Sequence, residues 1–460
     1  MNSPEKLTAV ERRATVSLAL VFALRMFGMF SILPVLAIYA RGLPGGDSQF
    51  LIGVALGIDG LAQACLQIPF GLLSDRIGRK RVIYLGLILF AAGSFIAATA
   101  TDIHMIIVGR LVQGTGAIAA AVIALLADLT REEHRSTSMA MIGMSIGVTF
   151  GASLVIGPTL NDVIGVPGIY ALTGVLALVA IVAVRFVVPD PLASRVHGDA
   201  QTIPAQIGAV WKNSELQRLN FGIFSLHAAL RGLFVAVPLL LLNAGGLPLS
   251  QHWKVYLPVM VVSFIGAIPA IILAEKHGRM KVVFCGAIAL LFASTMLMAV
   301  LIDHFFGIVV ALFLFFAAFN LLEATLPSLV SKIAPAGSKG TAIGVYNSAQ
   351  FLGLFLGGAL GGLLAQHANY GAVFAFSSGL VVAWLMMAIS MQHPPAVRTR
   401  MLHVNVPDPA AADALALTLA KLHGVVEAVV APAEGVAYLK VSLHDWDENG
   451  ARELIANWAK

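Results

Sequence analysis

Long apolar runs, cut at intervals by short polar or charged loops, occupy the first 391 residues of the chain. Twelve of these runs approach the ~20 residues a helix needs to cross a ~30 Å hydrocarbon layer. They are 16–40, 50–73, 82–100, 104–127, 138–160, 167–188, 218–243, 251–274, 282–301, 305–330, 341–365 and 369–391. The polar start, Met1 to Arg13, precedes a run long enough to span, without the short apolar region and small-residue cleavage site of a signal peptide. It is expected to remain as part of the first helix.

After Met391 the pattern changes. MLHVNV at 401–406 alternates as a strand does, and a helix is expected from near Asp408 to Leu422, with Gly424 just past its end. VVEAVV (425–430) and VAYLKV (436–441) read as strands around the turn-like PAEG at 432–435, and Asp445–Trp458 as a closing helix. The order β-α-β-β-α is a ferredoxin-like, split-βαβ arrangement without its last strand. Val404, Val406, Leu415, Leu419, Val426, Val430, Leu439 and Val441 form its expected apolar face. The missing strand leaves a sheet edge open to another copy, to the linker or to an unknown regulator.

Composition makes the membrane unavoidable. The chain of 460 residues is 58% hydrophobic and 12% charged, about half the ~25% charge of a soluble protein. A net charge of +5 and a pI near 9.2 would suit nucleic acid in a soluble protein. Here the lysines and arginines sit in short loops, so no nucleic-acid partner is expected. Twenty of them share a side with the N-terminus, and two, Arg41 and Lys254, lie at the opposite mouths. That asymmetry predicts both termini in the cytoplasm. Cys65 and Cys285 lie inside apolar runs with no CxxC or histidine company, so neither disulfide nor metal site is read.

The chain repeats itself. SDRIGRKRV at 74–82 and AEKHGRMKV at 274–282 match at an offset of 200, with Pro69 and Pro269 upstream. Both fall between the second and third spans of a six-span set, a parallel repeat that relates the halves by an axis along the membrane normal. The expected division is therefore 1–188, a linker 189–217 with three prolines, 218–391, and the tail 392–460.

Gly71-Leu72-Leu73-Ser74-Asp75-Arg76-Ile77-Gly78-Arg79-Lys80 resembles in full the G-x-L-x-D-R-x-G-R-[RK] signature of the major facilitator superfamily. The resemblance implies a fold of twelve transmembrane helices, an all-α membrane protein with a small α+β tail, and a transporter rather than an enzyme. It also implies a conformational latch: Asp75 against the N-terminus of the eleventh span, near Ser338–Thr341, and Arg79 against Asp128. Arg110-Leu111-Val112-Gln113-Gly114-Thr115-Gly116 resembles a second motif of the superfamily, R-x-x-Q-G-x-G. Around Gly157-Pro158 the proton-antiporter motif G-x-x-x-G-P-x-x-G-G is partial, with Ser153 for the first Gly and no closing Gly pair. Gly114, Gly116 and Gly157 also suit plain helix packing.

Charges inside the spans are costly and read as functional or paired. Arg110 and Asp59 lie roughly 9 and 13 Å below the opposite face at 1.5 Å per residue, so they are able to pair, for proton coupling or for packing. Arg25, Arg231 and Glu323 are the others; Glu323 would face Arg25 or Arg231, and a single membrane carboxyl is a natural proton carrier. His227, four residues from Arg231, reads as a polar cavity wall.

The tail's strand pattern resembles heavy-metal-associated domains, but residues 407–412 carry no thiol, so no copper site is expected; His403, His423 and His444 are scattered. A facilitator core with such a tail is similar to YajR-type transporters. The implied function is proton-coupled export of hydrophobic or amphipathic small molecules by rocker-switch alternation, driven by the proton gradient with no cofactor. Spans one, four, seven and ten are mostly Phe, Leu, Ala, Val and Met, which favours apolar cargo. A proton symporter or facilitator for one metabolite, and a sensor signalling through its tail, are the alternatives. No G-x-x-x-x-G-K-[ST] loop supports ATP drive.

Overall fold

A computed structural model describes residues 7–191, 202–276, 278–393, 397–406, 408–432, 435–442 and 445–458. Linker residues 192–201 with Arg195, Lys6, His277, Pro407, turn residues 433–434 and His444 lie outside the described residues, as do the side chains of Glu275 and Lys276.

Among the described residues, eleven stretches are long and apolar enough to cross a membrane, and one of them, 137–186, has 50 residues. At 1.5 Å per residue that stretch is roughly 75 Å long, more than twice the hydrocarbon layer. It bends at Gly165 (φ 66°, ψ 174°), a conformation that side chains resist, two residues before Pro167. Twelve crossings result, so both ends of the helical body share one face, the terminal face.

Crossing one is α1 (Ala9–Phe30) with α2 (Leu33–Ala40), and crossing two is α3 (Gln49–Ile77). Crossing three is α4 (Arg79–Ala98), and crossing four is α5 (Ile103–Thr115) with α6 (Ala119–Leu129). The bent α7 (Glu132–Phe186) makes crossings five and six; α8 (Pro204–Lys212) follows in the linker. Crossings seven to twelve are α9 (Ser214–Asn243), α10 (Trp253–Lys276), α11 (Met280–Val300), α12 (Phe305–Ile333), α13 (Lys339–His367) and α14 (Tyr370–Ile389).

Several helices outrun their apolar stretches, because hydrogen bonding and capping set helix ends while lipid sets hydropathy. Helix α1 begins seven residues before the expected position 16. Thr8 accepts from the Glu11 backbone and Glu11 accepts from the Thr8 backbone, a complete capping box. The expected single helix of crossing four is broken at Gly116–Ile118.

Crossings two and eleven touch backbone to backbone toward the opposite face. A Cβ on Gly53 or Gly362 would collide with the main chain of the other helix, and one on Gly57 would stand 2.8 Å from the Leu354 oxygen. Only glycine allows that approach, so this end is shut. Toward the terminal face the same helices part around a cavity of about 220 Å³, lined by Gln67, Gly71, Asp75, Gly340, Gly344 and Asn347 among others. Helix α8 seats beside it: Ile203 N donates to Thr341 Oγ1 at 2.9 Å, and Gln206 Nε2 to the Gly337 oxygen at 3.3 Å.

The tail holds β1 (Val397–His403), α15 (Pro409–Leu419), β2 (Val425–Ala431), β3 (Val436–Ser442) and α16 (Glu448–Trp458). Strand β3 lies between β1 and β2 and is antiparallel to both. The first strand starts four residues earlier than expected; Val404 and Val406 stay buried beyond its end. Helix α15 stops at Leu419 rather than Leu422, and α16 starts at Glu448 rather than Asp445. Val426 is a correction: an irregularity between Val425 and Glu427 turns it outward, 62% exposed.

Both faces of β3 are covered, which alternation alone does not foresee. Ala437, Leu439 and Val441 join the tail's own core. Val436 and Tyr438 pack with Ala336 in the loop between α12 and α13. Lys440 is buried but paired, 3.3 Å from Glu427 and 3.4 Å from the Ile333 oxygen, while Glu427 accepts from Ala336 N at 3.0 Å. Tyr438→Asp should therefore undock the tail without unfolding it. Limited proteolysis of membranes then releases a stable tail fragment faster than from the parent chain; equal release shows that this contact does not hold the tail.

Candidate functional site

Asp59, Gln63 and Gln67 recur every four residues on α3, so they form one slowly turning polar stripe down a transmembrane helix. All three are buried. Asp59 is gripped from two sides: Arg110 Nη2 of α5 stands 2.6 Å from Oδ1, and Arg231 Nη2 of α9 stands 3.1 Å from Oδ2. Arg110 also donates to the Leu56 oxygen at 3.3 Å. Arg25 of α1 donates to Gln63 Oε1 at 3.0 Å and lies over the Phe90 ring at 5.4 Å. Three guanidiniums, each at most 2% exposed, thus meet along one turn of α3. The Asp59–Arg231 pair joins the first six crossings to the last six.

Arg25 and Arg231 do not face Glu323, contrary to the sequence expectation, because Asp59 and Gln63 take them. Glu323 of α12 instead lies 3.5 Å from His227 Nε2, with a third of its side-chain surface open. His227 Nδ1 is 3.2 Å from the Ile223 oxygen, which can only accept, so this nitrogen carries the proton. Nε2 then has a lone pair, 2.7 Å from Gln350 Nε2. That lone pair accepts from the Gln350 amide, so an ionised Glu323 Oε1 beside it meets no donor among the described residues, and a proton on Glu323 removes the repulsion. Around it Phe30, Phe150, Phe316 and Phe319 form an aromatic contact from α1, α7 and α12.

At the terminal face Arg79 is buried beside Asp128 (Nε to Oδ2, 3.3 Å), donates to Ser74 Oγ at 2.8 Å and pairs with Asp75. Asp75 does not reach α13. It pairs within its own loop, and the cavity separates it from Gly340. Gly78 (φ 103°) makes the turn between α3 and α4 that presents Arg79; Arg76 is exposed. Lys80 binds Asp190 at 2.7 Å and holds that carboxyl below its usual range. Gly71 faces Ala120; Gly114 packs on α3 at Asp59, Gly116 on α4 at Gly86, and Gly157 on the α1–α2 break at Ser31. Pro158 lies inside α7.

Sequence reading missed the Glu11–Arg131 clamp, in which Glu11 accepts from the Arg131 backbone and Nε at 2.9 Å and from Nη2 at 3.0 Å. The four-residue spacing of Asp59, Gln63 and Gln67 was the available signal for the stripe. Nothing local marks Arg231 as the partner of Asp59.

The Major Facilitator Superfamily model matches residues 18–357 and 219–402. The chain belongs to the Major Facilitator Superfamily. It is 45% identical over 437 residues to the inner membrane transport protein YajR of Escherichia coli, covering 95% of each chain. It is 26% identical to multidrug resistance protein 2 of Bacillus subtilis, over 78% of this chain and 91% of that one. The crystal structure of the human organic anion transporter MFSD10 superposes with a TM-score of 0.63, over 83% of this chain and all of that one. At 20% identity this likeness shows the fold alone. This facilitator is thus a multi-pass inner-membrane transport protein and not an enzyme.

Removing one partner of a buried ion pair leaves an uncompensated charge, at a cost of ~3–5 kcal/mol. Asp59→Asn orphans two guanidiniums, so it should lower the thermal stability of the purified facilitator more than Asp75→Asn does. Differential scanning fluorimetry of matched fractions measures this; equal melting temperatures show that Asp59 is not the keystone.

Proposed function

We propose that this facilitator couples proton movement to export of hydrophobic or amphipathic small molecules by rocker-switch alternation. The moving bodies are 1–188 and 218–391, joined by the linker 189–217, with a ferredoxin-like tail from 392. The observation that carries the reading is the Asp59–Arg231 ion pair, which bridges the two bodies in a water-poor setting. Opening the opposite face requires that bridge to break, and a proton on Asp59 weakens it.

Positive loop charge supports a cytoplasmic terminal face. The state described is then inward-facing: shut by glycine packing outside, with its cavity between α3 and α13 inside. In the outward-open state the Asp75 loop closes on the N-terminus of α13, and the Arg79–Asp128 pair holds the loop in shape. Glu323 with His227 is the second proton site, since their contact is favourable only with a proton present. Export is supported by the partial antiporter motif around Gly157–Pro158 and by the name of the Bacillus relative. Symport of one defined metabolite is the alternative, which the charge density around Asp59 favours.

Two measurements test this reading. Proteoliposomes under an imposed pH gradient, screened against a compound panel, should show gradient-dependent flux, with Asp75→Asn and Arg79→Ala reducing initial rates at least roughly tenfold, ~1.4 kcal/mol of barrier. Parental rates in both variants remove the latch. Glu323→Gln should reduce substrate-induced proton release in detergent; undiminished release removes Glu323 as the second proton site and leaves coupling with Asp59 and Arg110.

A further inference from the structure

Asp59 neutralises only one of the three arginines that meet on α3. Arg25 has no carboxylate within ion-pair distance among the described residues, and its hydrogen bond goes to the neutral amide of Gln63. Among the described residues, Nε and Nη1 of Arg25 and of Arg231 are buried without a hydrogen-bond partner. A buried guanidinium with orphan N–H groups is costly, and the cost falls when an anion takes the fork. A guanidinium's planar donors fit a carboxylate, sulfonate or phosphate oxygen pair. A cationic ligand would add to the excess charge, and a neutral one would leave it.

The polar stripe gives this cluster a route to the cavity. Gln67, one turn or roughly 6 Å below Gln63, lines that cavity, and its buried Oε1 has no partner among the described residues. The cavity wall around it is apolar, with Ile123, Met139, Ile142, Ile146 and Ile343. We propose that the substrate is an amphipathic organic anion, its apolar body in this cavity and its anionic head against Arg25 and the free donors of Arg231. The assignment rests on the transport reading above and names its substrate class. Glu323 pairs with His227 and, among the described residues, with none of the three arginines, so it does not fill the cluster.

The test uses the full chain in lipid nanodiscs and three probes that share one ring: 1-naphthaleneacetate, 1-naphthaleneacetamide and 1-naphthylethylamine. Isothermal titration, with empty nanodiscs as the blank, reads the affinity of each. The acid should bind at least roughly tenfold tighter than the amide or the amine, ~1.4 kcal/mol. Arg25→Gln should erase the preference of acid over amide, and Arg25→Lys should keep part of it. Asp59→Asn frees two guanidiniums from their carboxylate and should strengthen acid binding, a sign that structural damage would not produce. Failure of the acid to exceed the amide, or persistence of its preference in Arg25→Gln, overturns the assignment. Proton-driven flux is measured separately: acid preference without such flux keeps the anion site and defeats the coupling. Flux without acid preference does the reverse.

Discussion

A single carboxylate, Asp59, sits between guanidiniums from two bodies of the protein, and in hydrocarbon that grouping constrains everything near it. Arg110 belongs to the same six crossings as Asp59, so this pair survives any rigid movement of that body. Arg231 belongs to the other six, so its bond to Asp59 has to be exchanged for another whenever the bodies part. Breaking it without replacement would strand charges in a low dielectric. Any ligand that lowers that cost therefore controls the transition.

The glycine contacts between α3 and α13 act in the same direction. They place two backbones in contact on the opposite side of the same helices, where no side chain intervenes. Such packing is tight but depends on shape alone, so it yields once the ionic bridge is released. At the terminal face the polar loop of Asp75, Ser74, Arg79 and Asp128 is satisfied within its own body, which leaves the cavity beside α13 free to stay open. Closing that side then demands new contacts, not the rupture of existing ones.

The loop before α13 gathers two further parts. Helix α8 of the linker donates to Gly337 in the loop and to Thr341 at the start of α13, and β3 of the tail rests on Ala336. The start of α13 is thus held by the linker and the tail together, on the helix that carries the outer glycine seal. This explains why β3 is buried on both faces, and why Lys440 faces a carboxylate and a carbonyl and not water.

Hydropathy determined the twelve crossings by itself, since a bilayer demands long apolar helices whatever their partners. Loop charge and the Gly71–Lys80 motif were equally local, and so was the tail's β-α-β-β-α order. Spacing on one helix placed His227 with Arg231 and contained the Asp59–Gln63–Gln67 stripe. Depth along the membrane was enough to make Asp59 and Arg110 compatible. What depth could not do was choose among arginines at similar heights. Arg231 lies 172 positions from Asp59, and only the packing of α9 against α3 brings them together. For the same reason Glu323 found His227 in place of an arginine, Asp75 turned to its own loop, and Val426 left the core at a strand irregularity. Period and composition act within a segment, whereas pairing depends on which segments lie side by side, and that is decided by tertiary structure.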